Sequence, residues 1–379
     1  MRPILFWVHL SLGVTAGLLV AWIAATGFLL TFRQQVTDFT ERGQSRVETL
    51  PGVARLSLDL LAAKATEGKE ANVSGLTLSS DSRSAVLFNL GKDEVVYVDP
   101  YTGKVLGPGA PVVRSFFRTV EGLHRWFGMT EGPAKERAHQ FKAAVNLVFL
   151  FMVLSGLYLW WPRSGKAVLK FKPGLTAKAR DWNQHNVLGF WISWILVVIT
   201  GTGVVMSYDW ANDLLYRLTG DAPPPHRQAM LPTTEGKGPG AEVRKEDHRP
   251  SRIRRDKGAQ AAGWDAWATA AKIQSPGWRA ISLRLPRKEG DKVMSFIQEG
   301  DSPYRRSVLS LEPDTAAVAK WEPYAEQKAG RKLRGLMKPL HIGEALGFPG
   351  QTLTAFAALG TVWMVWTGLA MAWRRWRSS

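Results

Sequence analysis

The sequence predicts an integral membrane protein with four transmembrane α-helices and two small α+β domains outside the bilayer, built as an internal tandem repeat. Three observations carry this reading: four long, uniformly apolar stretches, positive charge gathered at one set of their ends, and short motifs that recur at equal offsets in the two halves of the 379 residues.

The apolar stretches are Ile4–Phe32, Ala143–Trp161, Val187–Tyr208 and Thr352–Trp373, and none contains Asp, Glu, Lys or Arg. Each is long enough to cross a hydrocarbon core of about 30 Å. The first is too long for a signal peptide's apolar region of about 7–15 residues and carries His9, so it is expected to stay as an uncleaved helix. Orientation follows from the flanking cations. Arg2 precedes the first span; Arg163, Lys166, Lys170, Lys172, Lys178 and Arg180 crowd the loop between the second and third; Arg374, Arg375 and Arg377 follow the fourth. Both termini and that loop are therefore expected in the cytoplasm. The net charge of +17 reads mainly as these anchors against anionic membrane lipids, with no role for nucleic acid.

The expected layout is a first span at 1–32, an outside domain at 33–138, a second span at 139–161, a cytoplasmic loop at 162–184, a third span at 185–208, a second outside domain at 209–351, a fourth span at 352–373 and a tail at 374–379. In the first outside segment Ser57–Glu67 has helical spacing, and Val73–Leu78, Ala85–Leu90 and Glu94–Val98 read as strands. In the second, Trp264–Ile273 reads as helix and Arg279–Leu285, Lys292–Ile297 and Ser307–Leu311 as strands, in the same order. Between them, 221–263 is rich in Pro, Gly and mixed charge and reads as a flexible insertion. The turn Asp99-Pro100-Tyr101-Thr102-Gly103-Lys104-Val105 matches Glu312-Pro313-Asp314-Thr315-Ala316-Ala317-Val318. His9-x-x-x-Gly13 with Thr26-Gly27 recurs as His185-x-x-x-Gly189 with Thr202-Gly203, and Leu123-His124 recurs as Leu340-His341, each in a loop before a span.

Histidine carries the candidate chemistry. An ionisable group in a bilayer-spanning helix costs a few kcal/mol on insertion scales, so it usually marks a ligand or a relay. His9 and His185 lie at similar depth near one membrane face; His124, His341 and His139 lie near the other. Two such layers suit two b-type haems, with neutral imidazoles as axial ligands and apolar helices around the macrocycles. The alternative is a histidine that snorkels and bonds a loop carbonyl. The absence of cysteine excludes disulfides, iron–sulfur clusters and covalent haem attachment through thiols. His226 and His248 fall in the insertion and read as solvated. Trp22, Trp191, Trp194, Trp363 and Trp366, inside the spans, are expected to pack between helices. No dinucleotide fingerprint, P-loop or zincin motif is present, and the loop at 162–184 is too short for a flavin or nicotinamide domain. Electrons are then expected from quinol or a separate redox partner.

The His9-x-x-x-Gly13 start, the run Gly122-Leu123-His124-Arg125-Trp126-Phe127-Gly128, the helix end Ser155-Gly156-Leu157-Tyr158-Leu159-Trp160-Trp161-Pro162-Arg163 and the Asp99–Val105 turn resemble the PepSY-associated transmembrane family. Within it the chain is similar to the siderophore-iron reductases of the Gram-negative inner membrane, the ferrioxamine-type reductase among them. The resemblance implies periplasmic PepSY-like domains, haem b held by His9, His124, His185 and His341, and reduction of a ferric siderophore to release Fe(II). His139 has no counterpart in the second half, and Ala316 stands where the turn calls for glycine. Lys328, Arg331, Lys332, Arg334, Lys338, Arg114 and Arg118 are positioned to attract an anionic iron complex. Two other readings compete: a non-enzymatic PepSY-type binding or regulatory protein, and a siderophore or metal transporter. The second is weakened by spans without carboxylates.

Overall fold

A computed structural model describes residues 2–49, 52–91, 94–161, 170–224, 262–286, 288 and 290–378. The expected insertion at 221–263, with His226 and His248, lies almost wholly outside the described residues. The chain divides into two compact units, one made of residues 1–36, 112–223 and 329–379, the other of 37–111 and 224–328.

The first unit is helical. Its long helices are α1 (Arg2–Thr31), α5 (Gly132–Trp160), α6 (Ala177–Ser207) and α10 (Gly347–Arg377). The four apolar stretches each fall within a helix long and apolar enough to cross a membrane. Two helices start well before their apolar stretch, in charged sequence: α5 begins eleven residues before the run at Ala143, and α6 begins at Ala177, ten before Val187. Nothing in those flanks breaks a helix once its first turn has formed. α1 packs on α5 and α10, and α6 on α5 and α10. Val153, Ile192, Leu196 and Ala357 form the buried centre, and a Cβ on Gly360 would meet Ile192 at 3.0 Å, so glycine there sets how closely α10 approaches α6. Trp22, Trp191, Trp194, Trp363 and Trp366 stay outward and exposed rather than packing between helices, as expected of aromatic side chains facing lipid.

Four shorter helices flank the long ones in sequence: α2 (Arg33–Ser45), α4 (Pro111–Trp126), α7 (Asp209–Leu218) and α9 (Ala329–His341). The segments carrying His124 and His341, expected as loops, are thus the ends of α4 and α9. Both are strongly amphipathic, with Phe117 and Val120 buried on α4 and Met337 on α9. α7 packs on α9 through Leu215, Tyr216 and Met337.

The second unit is one antiparallel sheet of eight strands in the order β4-β3-β2-β1-β5-β6-β7-β8. The strands are β1 (Val73–Ser79), β2 (Val86–Leu90), β3 (Glu94–Val98), β4 (Val105–Gly107), β5 (Trp278–Arg284), β6 (Val293–Glu299), β7 (Arg306–Leu311) and β8 (Val318–Glu322). The two expected domains therefore share a single sheet. β1 pairs with β5 through Leu76↔Leu283 and Thr77↔Ser282. In two separate domains these strands would each present an unpaired edge, and their pairing removes both edges.

Alternation along the strands sends Leu76, Leu78, Phe88, Val96, Ile281, Leu283, Ile297 and Leu309 to one face. There they pack on α3 (Leu58–Thr66) and α8 (Trp264–Gln274) through Leu61, Ala62, Ala65, Trp267, Ala268 and Ala271. The two helices cap each other. The Asp265 carboxylate accepts from the Leu58 and Asp59 N–H groups at 2.9 and 3.2 Å. The Asp59 carboxylate accepts from Trp264 and Asp265 at 2.8 and 3.3 Å. Each helix N-terminus thus finds its missing acceptor on the other. The turns after β3 and β7 close alike: Gly103 N–H bonds Asp99 C=O and Ala316 N–H bonds Glu312 C=O, both at 3.0 Å. Ala316 keeps the left-handed conformation (φ 55°) that Gly103 adopts at φ 72°.

Candidate functional site

The histidines of the spans are held in two pairs inside the helical unit. His9 of α1 and His185 of α6 line one cavity of about 860 Å³ between α1, α5, α6 and α10. Its walls are largely apolar, with Leu10, Met152, Val153 and Leu196 among them. Among the described residues Lys178 and Arg375 are the charged side chains that line it. Its size falls within the range of small-molecule and cofactor pockets. At the other end of the helices His124 and His341 stand within electrostatic reach of each other. The helix axis separates the layers: Thr26, beside His124, follows His9 at the same offset by which Thr202, beside His341, follows His185. That offset is about 25 Å at 1.5 Å per residue.

The hydrogen bonds around these four rings share one pattern. His9 Nδ1 lies 2.9 Å from Ser155 Oγ, and His124 Nδ1 lies 2.9 Å from Thr26 Oγ1. His185 Nδ1 lies 3.0 Å from Met364 C=O and 3.1 Å from Thr367 Oγ1. His341 Nδ1 lies 2.8 Å from Ile199 C=O and 3.2 Å from Thr202 Oγ1. Each hydroxyl spends its own proton on a carbonyl of its helix: Ser155 on Met152, Thr26 on Trp22, Thr202 on Val198 and Thr367 on Trp363. The Met364 and Ile199 carbonyls accept from His185 and His341 Nδ1, and a hydroxyl whose proton is spent on its own helix is placed to accept from His9 and His124 in the same way. In that tautomer Nε2 keeps its lone pair, and among the described residues no hydrogen bond reaches it.

The rings are also seated on glycine. A Cβ on Gly156 would meet His9 Cε1 at 3.1 Å, one on Gly368 would meet His185 Cε1 at 3.3 Å, and one on Gly27 would meet His124 Cε1 at 3.3 Å. Any larger residue would push the ring from its place. Burial, together with the facing His341 ring, holds the His124 imidazole far below its ordinary range, at about 3; burial lowers His341 to about 4. Both are neutral at physiological pH. A neutral imidazole oriented by an Nδ1–H bond to a carbonyl or hydroxyl, with Nε2 exposed, is the arrangement of a metal-ligating histidine. Among the described residues no three His, Cys, Asp or Glu side chains converge on one point.

His139 stands apart. It lies on α5, half-buried, in the field of Lys142, and no hydrogen bond holds its ring among the described residues. Sequence reasoning named the four paired histidines but missed the groups that orient them, Ser155, Thr26, Thr202 and Thr367. The available signal was the Thr-Gly pair after each span histidine, together with Ser155-Gly156 and Thr367-Gly368. It also missed Lys142, which sits inside α5 with Nζ 3.3 Å from Ser207 Oγ.

Compared with curated proteins, the chain matches none. The model of the PepSY-associated TM region matches residues 6–375. Four membrane-crossing helices, a separate antiparallel sheet unit and a match that runs nearly end to end make this chain a member of the PepSY-associated transmembrane family.

Proposed function

We propose that this protein is a haem-containing reductase of the bacterial inner membrane that passes electrons across the bilayer to a ferric siderophore and so releases Fe(II). The observation that carries the reading is the hydrogen-bond pattern of four imidazoles, each with Nδ1 held by its own hydroxyl or carbonyl and with no hydrogen bond at Nε2 among the described residues. They are grouped as His9 with His185 and His124 with His341. The residues fit haem b in the first layer. The cavity is largely apolar, its glycines leave flat space, and among the described residues its charged lining is Lys178 and Arg375, which matches a macrocycle with carboxylates on one edge.

Bound haem would supply a one-electron carrier in each layer. The protein's part is to fix the imidazole planes, keep the ligand nitrogens unprotonated and exclude water with Leu10, Met152, Val153 and Leu196. Siderophores hold Fe(III) through hard oxygen donors, and adding an electron weakens that preference, so reduction serves as release. The positive flanks at Arg2 and Arg374–Arg377 support cytoplasmic termini, with the sheet unit in the periplasm and a quinol or another redox partner as donor. The recurrence of the histidine contacts and the reciprocal Asp59 and Asp265 caps support an origin by tandem duplication.

The test is a visible spectrum of the detergent-purified protein, oxidised and dithionite-reduced, followed by a ferric siderophore and a ferrous-iron trap. The expected result is a bis-histidine b-haem spectrum that reoxidises as trapped Fe(II) forms. A colourless protein that takes up no haem refutes the reading and leaves a binding or regulatory role for the sheet unit. Siderophore flux without redox change would favour a transporter.

A further inference from the structure

Lys142 is a cation placed where the chain offers it no counter-charge. It lies within α5, immediately before the apolar run that starts at Ala143, with Ala143 and Val145 beside it buried. Its ammonium does not turn outward toward an interface, as a snorkelling lysine would. It points into the bundle and donates to Ser207 Oγ on α6 at 3.3 Å. One helical turn along the same side of α5, Asn146 Nδ2 donates to Thr200 C=O at 3.0 Å. This side of α5 therefore packs on the stretch of α6 that supplies Ile199 C=O and Thr202 Oγ1 to His341.

The charges that reach Lys142 are all of one sign. Among the described residues Arg125 is the charged group that acts on it, and Lys142 in turn acts on His124, His139 and His341. Among the described residues no carboxylate approaches it. A half-buried ammonium surrounded by a guanidinium and imidazoles is costly unless an anion joins the cluster. Among the described residues Glu121 reaches Arg125 at 3.0 Å but no carboxylate reaches Lys142, so its counter-anion is left for a ligand to bring.

We propose that Lys142 is a positioning residue for the cofactor of the outer layer, its ammonium pairing with a carboxylate on the edge of the haem held by His124 and His341. This rests on the haem reading above. The pairing would fix the orientation of the bound group and raise its potential, because a nearby cation favours the reduced, less positive iron.

The test is an optical redox titration of the full-length protein in detergent, comparing wild type, Lys142→Met and Lys142→Arg, with His341→Ala used to identify the outer centre. The expected result is a lower midpoint for the outer centre alone in Lys142→Met, with recovery toward wild type in Lys142→Arg. The unmoved inner centre reports that the variant is folded. Two unchanged midpoints in Lys142→Met overturn the assignment while leaving the haem reading intact. So does a wild-type midpoint that follows chloride concentration, since the cluster would then be taking a solution anion. A wild-type protein with no haem overturns the reading and the assignment together.

Discussion

Gly156→Ala should loosen the proposed inner haem site without weakening the fold. An added Cβ would stand 3.1 Å from His9 Cε1. Carbon atoms rest at about 3.5–4.0 Å, so the ring must retreat by about 0.5 Å. That is the whole positional tolerance of a preorganised site, about 0.5 Å. The displacement also strains the 2.9 Å contact between His9 Nδ1 and Ser155, the residue next to the substitution. Changes of this kind around a ligand cost about 10–100-fold in affinity, and the lower end is expected for one methyl group. The helix itself gains about 1 kcal/mol from alanine in place of glycine, so unfolding does not explain a loss. The assay is haem stoichiometry and affinity on reconstitution, with Gly201→Ala as control, because nothing lies within 4 Å of a Cβ at Gly201. Full haem retention and an unaltered spectrum in Gly156→Ala would refute the seating argument.

Three further outcomes follow from particular contacts. Ser155→Ala removes the one Nδ1 partner of His9, whereas Thr367→Val leaves His185 bonded to Met364 C=O, so the first should cost about tenfold in haem affinity and the second much less; equal losses would contradict the network. Ala316→Gly should stabilise the protein by about 0.5–1 kcal/mol, the left-handed cost of alanine less the extra freedom glycine gives the unfolded chain, and a lower melting temperature would count against it. Glu121 on α4 meets Arg33 at 2.7 Å and Arg125 at 3.0 Å. Burial raises its carboxyl, but those two bonds more than offset this and leave it below its ordinary 4.5. Its contribution is therefore full above that value and lost as pH falls through the depressed folded value. The stability gap between wild type and Glu121→Gln should close on acidification, and a gap that persists or widens would show that the carboxylate is not what matters.

The spans and their histidines were legible because an imidazole in an apolar run stands out against everything around it. Most strands were legible from alternation, as in Val86–Leu90, where Val86, Phe88 and Leu90 are buried and Leu87 and Asn89 less so. The union of both segments in one sheet was not, because alternation sets which face of β1 is buried and says nothing of which strand covers its edge. α4 and α9 were hidden by their charges. Arg114, Arg118, Glu121 and Arg125 break any apolar run, although Phe117 and Val120 fall on one face. Lys142 escaped notice because charge just outside an apolar run reads as an anchor. Its inward direction comes from the packing of α5 on α6, which no local pattern encodes. Ala316 was recognised as a departure from the turn, and the turn holds nonetheless, since the Glu312 and Ala317 backbone bonds fix the loop regardless of the strained residue.

The most direct measurement is the number of b-haems per chain in the purified protein and in His9→Ala and His341→Ala. The account expects two bis-histidine haems in wild type and one in each variant, with the remaining centre differing between the two. A wild-type chain with no haem, or variants that keep both, would contradict it.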